Sequence, residues 1–138
     1  MIAAIANDGI IFMSEKIIES DLYELSSKQT CYSIMDKVGI AFTGIWADGL
    51  NITNKTFKEM QKNKSEYGFV LNADDLIDKV AMQVYANTLS GAVRPYGSEI
   101  LLGSFENEVP ALYHLHLDGS FEVFFCLKKI SYIYIPLF

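Results

Sequence analysis

The side chains best suited to chemistry cluster late in the chain. His114-Leu-His116-Leu-Asp118 alternates polar and apolar residues, and residues two apart in a strand point to the same face. Two imidazoles and a carboxylate are metal-ligand types, but a metal site needs three or four ligands that converge. The expectation is therefore a polar, solvated face with Leu115 and Leu117 turned inward, and no metal. Cys31 and Cys126 are far apart and lack Cys-x-x-Cys spacing. They read as two free thiols in a reducing compartment. A thiol in an apolar strand stays protonated and inert, and the only histidines available as a base are that one pair. Gly44 and Gly49 form no phosphate loop, because the Lys-Ser/Thr that should follow is missing. Asp8-Gly9 and Asp118-Gly119 are turn residues by chemistry. Read alone, these residues describe a binding or structural domain with no visible catalysis and no cofactor.

The bulk properties point the same way. A chain of 138 residues is expected to form one domain with a sizeable core. A hydrophobic fraction of 51% with 20% charged residues reads as soluble and globular. The 17 acidic against 11 basic residues give a net charge of -6, which argues against nucleic acid as a partner. The absence of a long apolar run implies no membrane span. The start, Met-Ile-Ala-Ala-Ile-Ala-Asn-Asp, has no basic residue before its apolar stretch and does not read as a secretory signal. Cytoplasm and nucleus are the expected locations.

The elements that must position these residues follow from periodicity. Residues 2–6 and 10–14 are apolar runs around Asn7-Asp8-Gly9, a hairpin signal. Residues 31–34 and 38–43 are two more expected strands, joined by a turn at 35–37. Trp46, Leu50, Thr53, Phe57 and Met60 are spaced 4, 3, 4, 3, which predicts one face of a helix ending at Tyr67-Gly68. Lys55, Lys58, Glu59 and Lys62 are expected in solvent, and Gly49 weakens the first turn. Asn72 is an N-cap for a second helix with Leu76, Ile77, Val80, Ala81 and Val84 inward, stopped by Gly91. Residues 98–104, 110–117 and 120–127 are expected strands. Four strands, two helices and three strands make an α+β layered pattern.

Between the second helix and the next strand stands Val93-Arg-Pro-Tyr-Gly97. Pro95 fixes its own φ and excludes Arg94 from the helical region. Gly97 lends freedom at the strand entrance, Tyr96 can pack its ring, and Arg94 is expected to pair with a carboxylate within the chain or across a neighbour. The turn reads as a shaping element rather than a ligand site.

Four motifs in order resemble the alpha-type subunits of the 20S proteasome. Asp8-Gly-Ile-Ile-Phe-Met-Ser-Glu15-Lys16 is similar to the family's DGVVxxxEK hairpin. Val38-Gly-Ile-Ala-Phe-Thr-Gly44-Ile-Trp-Ala-Asp48 is similar to VGMAxxGLxAD, and Val93-Arg94-Pro95-Tyr96-Gly97 to VRP(F/Y)G. Leu112-Tyr113 with Asp118-Gly-Ser120 is similar to LYxxDPSG, with the proline lost. The resemblance covers about residues 3 to 125, and residues 78–89 with Ala92-Val-Arg-Pro look most like the branch called alpha type 3.

It implies the N-terminal-nucleophile hydrolase αββα sandwich, incomplete here, with one helical layer largely missing. Residues 1–127 would be a partial alpha-subunit domain and residues 128–138 an atypical apolar tail. The chain would be a version shortened at both ends. In catalytic relatives an N-terminal threonine is assisted by an aspartate and a lysine. The threonine would fall ahead of Met1, the aspartate position holds Glu15 and the lysine position holds Thr30. The resemblance thus implies a non-catalytic ring subunit in ubiquitin-dependent degradation. Its partners would be other alpha subunits, the beta rings and, through the assembled ring, activator particles. Thr30 also aligns with the lysine of the pocket where activators dock, which departs from that pattern. Two alternatives remain: a fragment that joins no ring, and a free-standing amidohydrolase using Ser14, Cys31 or Thr43, each inside an expected strand.

Overall fold

Short apolar runs separated by turn residues pair as antiparallel strands, because each then satisfies its backbone groups against a neighbour. The computed structural model describes residues 1–6, 8–15, 28–35, 37–106, 109–124 and 133–134. In chain order they form β1 (Ile2–Ala6), β2 (Gly9–Met13), β3 (Cys31–Met35), β4 (Val38–Gly44), α1 (Trp46–Tyr67), α2 (Ala73–Leu89), β5 (Ser98–Glu106), β6 (Val109–Leu115), β7 (Phe121–Phe124) and β8 (Ile133–Tyr134). The mixed strand and helix content and the element order follow the expectation. Within the expected tail, Ile133 and Tyr134 pair with Ala3 and Ile2; residues 125–132 and 135–138 lie outside the described residues.

Five strands make one antiparallel sheet in the order β3-β4-β5-β6-β7, and three make a second, β2-β1-β8. β4 lies inside the sheet, between β3 and β5, and is apolar on both faces. Ile40 and Phe42 join Ile100, Leu102, Tyr113 and Leu115 against Ile52, Met60, Leu76, Ile77, Val80 and Val84 of the helices. Ala41, Leu101 and Leu112 point the other way, against Met1, Ala3 and Ile5. The described chain is thus layered helix, sheet, sheet, with both helices on one face of the larger sheet.

α2 follows its expected pattern. All five predicted inward residues are buried, and the Asp75 N–H donates to Asn72 Oδ1 at 2.8 Å. It ends at Leu89 with Ser90 as its cap and Gly91 next in the chain, where the stop was expected, though Gly91 does not take the left-handed conformation. α1 ends as expected, on a left-handed Gly68 whose N–H donates to the Lys64 carbonyl.

The face of α1 differs from the expectation. Trp46 and Phe57 are exposed, and the buried stripe is Gly49, Ile52, Thr53, Thr56, Met60 and Asn63. Thr53 and Thr56 can be buried because their hydroxyls donate to the carbonyls of Gly49 and Ile52, one turn back. Gly49 belongs there for packing: a Cβ at this position would run into the Phe42 ring. Trp46 instead lies across the segment before β3, its indole N–H donating to the Gln29 carbonyl at 3.2 Å.

The first hairpin closes at Ala6↔Gly9. Gly9 is therefore a strand residue and Asp8 a turn residue; Asn7 is not among the described residues.

Candidate functional site

The sequence motifs converge where β4 ends, α1 begins and β5 begins. Gly44 ends β4 at φ 109, a conformation only glycine adopts freely, and a Cβ there would strike the Gly97 carbonyl. That close approach lets the Ile45 N–H donate to the Gly97 carbonyl at 2.9 Å. The Ser98 hydroxyl returns a bond to the Ile45 carbonyl at 2.6 Å. The chain then enters α1, and Asp48 in its first turn points back at the Arg-Pro-Tyr-Gly turn.

Asp48 is saturated by fixed donors. Arg94 grips it with both ends of its guanidinium, at 2.6 and 2.8 Å, and the Gly97 N–H donates to it at 2.9 Å. The Asp48 side chain is 12% exposed and that of Arg94 is 61% exposed. The hydrogen-bonded Arg94 holds the Asp48 carboxyl below its ordinary range; burial opposes this, and the Gly97 N–H adds to it. Arg94 also donates to the Pro95 carbonyl. Tyr96 is buried, and its hydroxyl accepts from Lys55 Nζ at 2.8 Å. Lys55 also lies 5.5 Å from the Tyr96 ring centre, so it serves the turn rather than facing solvent.

This cluster unites Gly44, Asp48, Arg94, Pro95, Tyr96 and Gly97. The expected carboxylate partner of Arg94 is Asp48, within the chain. Gly97 has no positive φ; its value is the N–H it gives Asp48 and the room it leaves Ile45. Asp8 and Gly9 sit apart in the first hairpin, Glu15 is exposed beyond β2, and Lys16 is outside the described residues.

A second cluster marks the positions compared with the catalytic groups. Thr30 Oγ1 donates to Ser14 Oγ at 2.6 Å, and Cys31 Sγ lies 3.6 Å from the same oxygen. The fold thus brings the Thr30 position beside the end of β2. A threonine hydroxyl cannot supply the charge of a lysine ammonium there. Cys31 and Thr43 sit within strands, as expected, whereas Ser14 lies just past β2.

A third cluster departs from its expectation. His114 is buried rather than solvated, and Leu117 is 43% exposed rather than inward. His114 Nε2 lies 3.3 Å from Glu99 Oε2, and the two imidazole rings are 4.2 Å apart. Asp118 does not join them: it accepts from the Ser120 N–H and hydroxyl, which lower its pKa. Glu99 was invisible to a reading along the chain, because β5–β6 pairing, not sequence spacing, brings it there.

With the geometry in place, comparison with known proteins identifies the class. The proteasome subunit family matches residues 1–125, and the chain belongs to that family. Its relatives include the proteasome subunit alpha type-3 of Spinacia oleracea, 32% identical over 112 residues, which are 81% of this chain and 45% of the relative. The alpha type-3 subunit of Drosophila melanogaster is 34% identical over 121 residues, 86% of this chain and 48% of the relative. The proteasome subunit alpha of Picrophilus torridus is 30% identical over 121 residues, 88% of this chain and 52% of the relative. The chain spans about half the length of these relatives. The resemblance read from the four motifs, including the likeness to alpha type 3, therefore holds.

Proposed function

We propose that the chain acts as a non-catalytic alpha-ring subunit of a 20S proteasome core, helping to build and gate the ring in ubiquitin-dependent degradation in cytoplasm and nucleus. The observation that carries this is the family match over residues 1–125 together with relatives named as alpha subunits. The described layers would be the helix, sheet and sheet of an αββα sandwich, with no second helical layer among the described residues.

Two features support the reading. The positions compared with the catalytic aspartate and lysine hold Glu15 and Thr30, and Thr30 is engaged with Ser14. On the outer side of α2, Met82, Tyr85 and Leu89 are exposed at helical spacing, an apolar stripe suited to burial by neighbouring subunits. Those neighbours would be other alpha subunits and beta-ring subunits, with activator particles docking on the assembled ring. The motif residues Gly44, Asp48, Arg94, Pro95, Tyr96 and Gly97 would shape the subunit, with Asp8, Gly9, Glu15 and Lys16 framing its first hairpin.

A fluorogenic-peptide assay on the isolated chain tests the non-catalytic part; no turnover above buffer is expected, and turnover abolished by Ser14→Ala, Cys31→Ala or Thr43→Ala would establish an amidohydrolase instead. Affinity capture of a tagged chain from its own cells tests the ring. Recovery of other alpha subunits is expected, and recovery of none would mark a fragment that joins no ring.

A further inference from the structure

His114, His116 and Glu99 offer ligand atoms that all lie within 4.8 Å of one another. Their convergence comes from sheet geometry. His114 pairs with Leu101 of β5 and Glu122 of β7. Residues two apart share a face, so Glu99, His114, His116 and Glu122 all project from the side that carries Leu101 and Leu112, the side facing the smaller sheet. At each step toward solvent the side chains become more open: His114 is 10% exposed, Glu99 28% and His116 33%.

Zinc binds imidazole nitrogen and carboxylate oxygen at about 2.0 to 2.2 Å in a tetrahedral arrangement, which sets neighbouring ligand atoms about 3.4 Å apart. The 3.3 Å between His114 Nε2 and Glu99 Oε2 already meets that spacing. Water would complete the tetrahedron as the fourth ligand. The donor set is two nitrogens and one oxygen, with a partly exposed rim for entry, which suits a borderline divalent ion rather than calcium or magnesium.

We propose that Glu99, His114 and His116 form a binding site for one zinc-type divalent ion. The ion would tie the start of β5 to the end of β6. It is independent of whether the chain joins a ring.

The test uses the tag-free full chain. Titration with Zn²⁺ is expected to saturate at one equivalent and to raise Tm. Because the chain has two histidines, both imidazole C–H resonances in its proton NMR spectrum must shift together over that equivalent. Co²⁺ is expected to give a tetrahedral visible spectrum without a thiolate charge-transfer band. His116→Gln and Glu99→Gln, both at partly exposed positions, should each weaken Zn²⁺ binding about tenfold or more while leaving the circular dichroism unchanged. No saturation at one equivalent, a thiolate band, unmoved imidazole resonances, or both variants binding like the parent would each overturn the site. The NMR titration needs no substitution, so it decides the matter even if a variant fails to fold.

Discussion

Two carboxylates near the start of β5 lie on opposite faces of the larger sheet and have opposite kinds of company. On the helix side, Asp48 accepts from the Arg94 fork and the Gly97 N–H. Those donors keep their protons at any physiological pH, so the Asp48 carboxylate is committed within the fold. On the other side, Glu99 faces His114, and His116 stands next to it. A neutral imidazole has a nitrogen lone pair to give. The difference teaches that a carboxylate held by fixed donors builds shape, while one set among imidazoles keeps the ligand atoms that the proposed metal site would use. The comparison yields five predictions, in descending size.

Breaking the closed cluster through its backbone should cost most. Gly49→Val would push into the Phe42 ring and displace the start of α1; a loss of about 3 kcal/mol is expected from the shift of the urea midpoint. Asp48→Asn removes the charge and leaves Arg94 and the Gly97 N–H poorly matched, for a loss of about 2 kcal/mol at pH 7.

The same carboxylate gives a pH signature. Its folded pKa lies below the ordinary value. Its contribution is therefore fully present above about pH 4 and is lost as pH falls through the lower, folded pKa. Asp48→Asn should flatten that acid limb of the stability curve. A limb of undiminished steepness in the variant would show that other carboxylates produce it.

Tyr113→Phe probes a polar tie between the layers. The Tyr113 hydroxyl donates to Asp74 at 2.7 Å from within the core, and burial, with Asp74 second, raises its pKa well above the ordinary phenol value. Losing that bond should cost about 1 kcal/mol by urea unfolding. Glu99→Gln in metal-free protein should change stability by no more than about 0.5 kcal/mol. That contrast with Asp48→Asn is the sharpest form of the comparison, because a large loss would make the Glu99 cluster structural too.

How far these features could be read from sequence varies with their physical origin. The strands and α2 were legible because their apolar residues recur with the period of the element, as Leu76, Ile77, Val80 and Val84 do. The Arg-Pro-Tyr-Gly turn was legible as a shaping element, since Pro95 restricts two residues whatever surrounds them. Its partner Asp48 was visible as a motif residue but not as the carboxylate Arg94 holds, since they are 46 positions apart. On α1, Thr53 and Met60 are buried as expected, but the stripe is rotated: the core also takes in the polar Thr56 and Asn63, while Trp46 and Phe57 stay outside. The burial of His114 was hidden because its strand is covered on both sides, a fact of layering rather than of alternation.

The central claim, that this chain is a ring subunit, is tested most directly by native mass spectrometry of particles purified through a tag on the chain. The account predicts the chain within an assembly that contains other alpha subunits and beta-ring subunits. Recovery of the chain alone, or of assemblies with no other proteasome subunit, would contradict it.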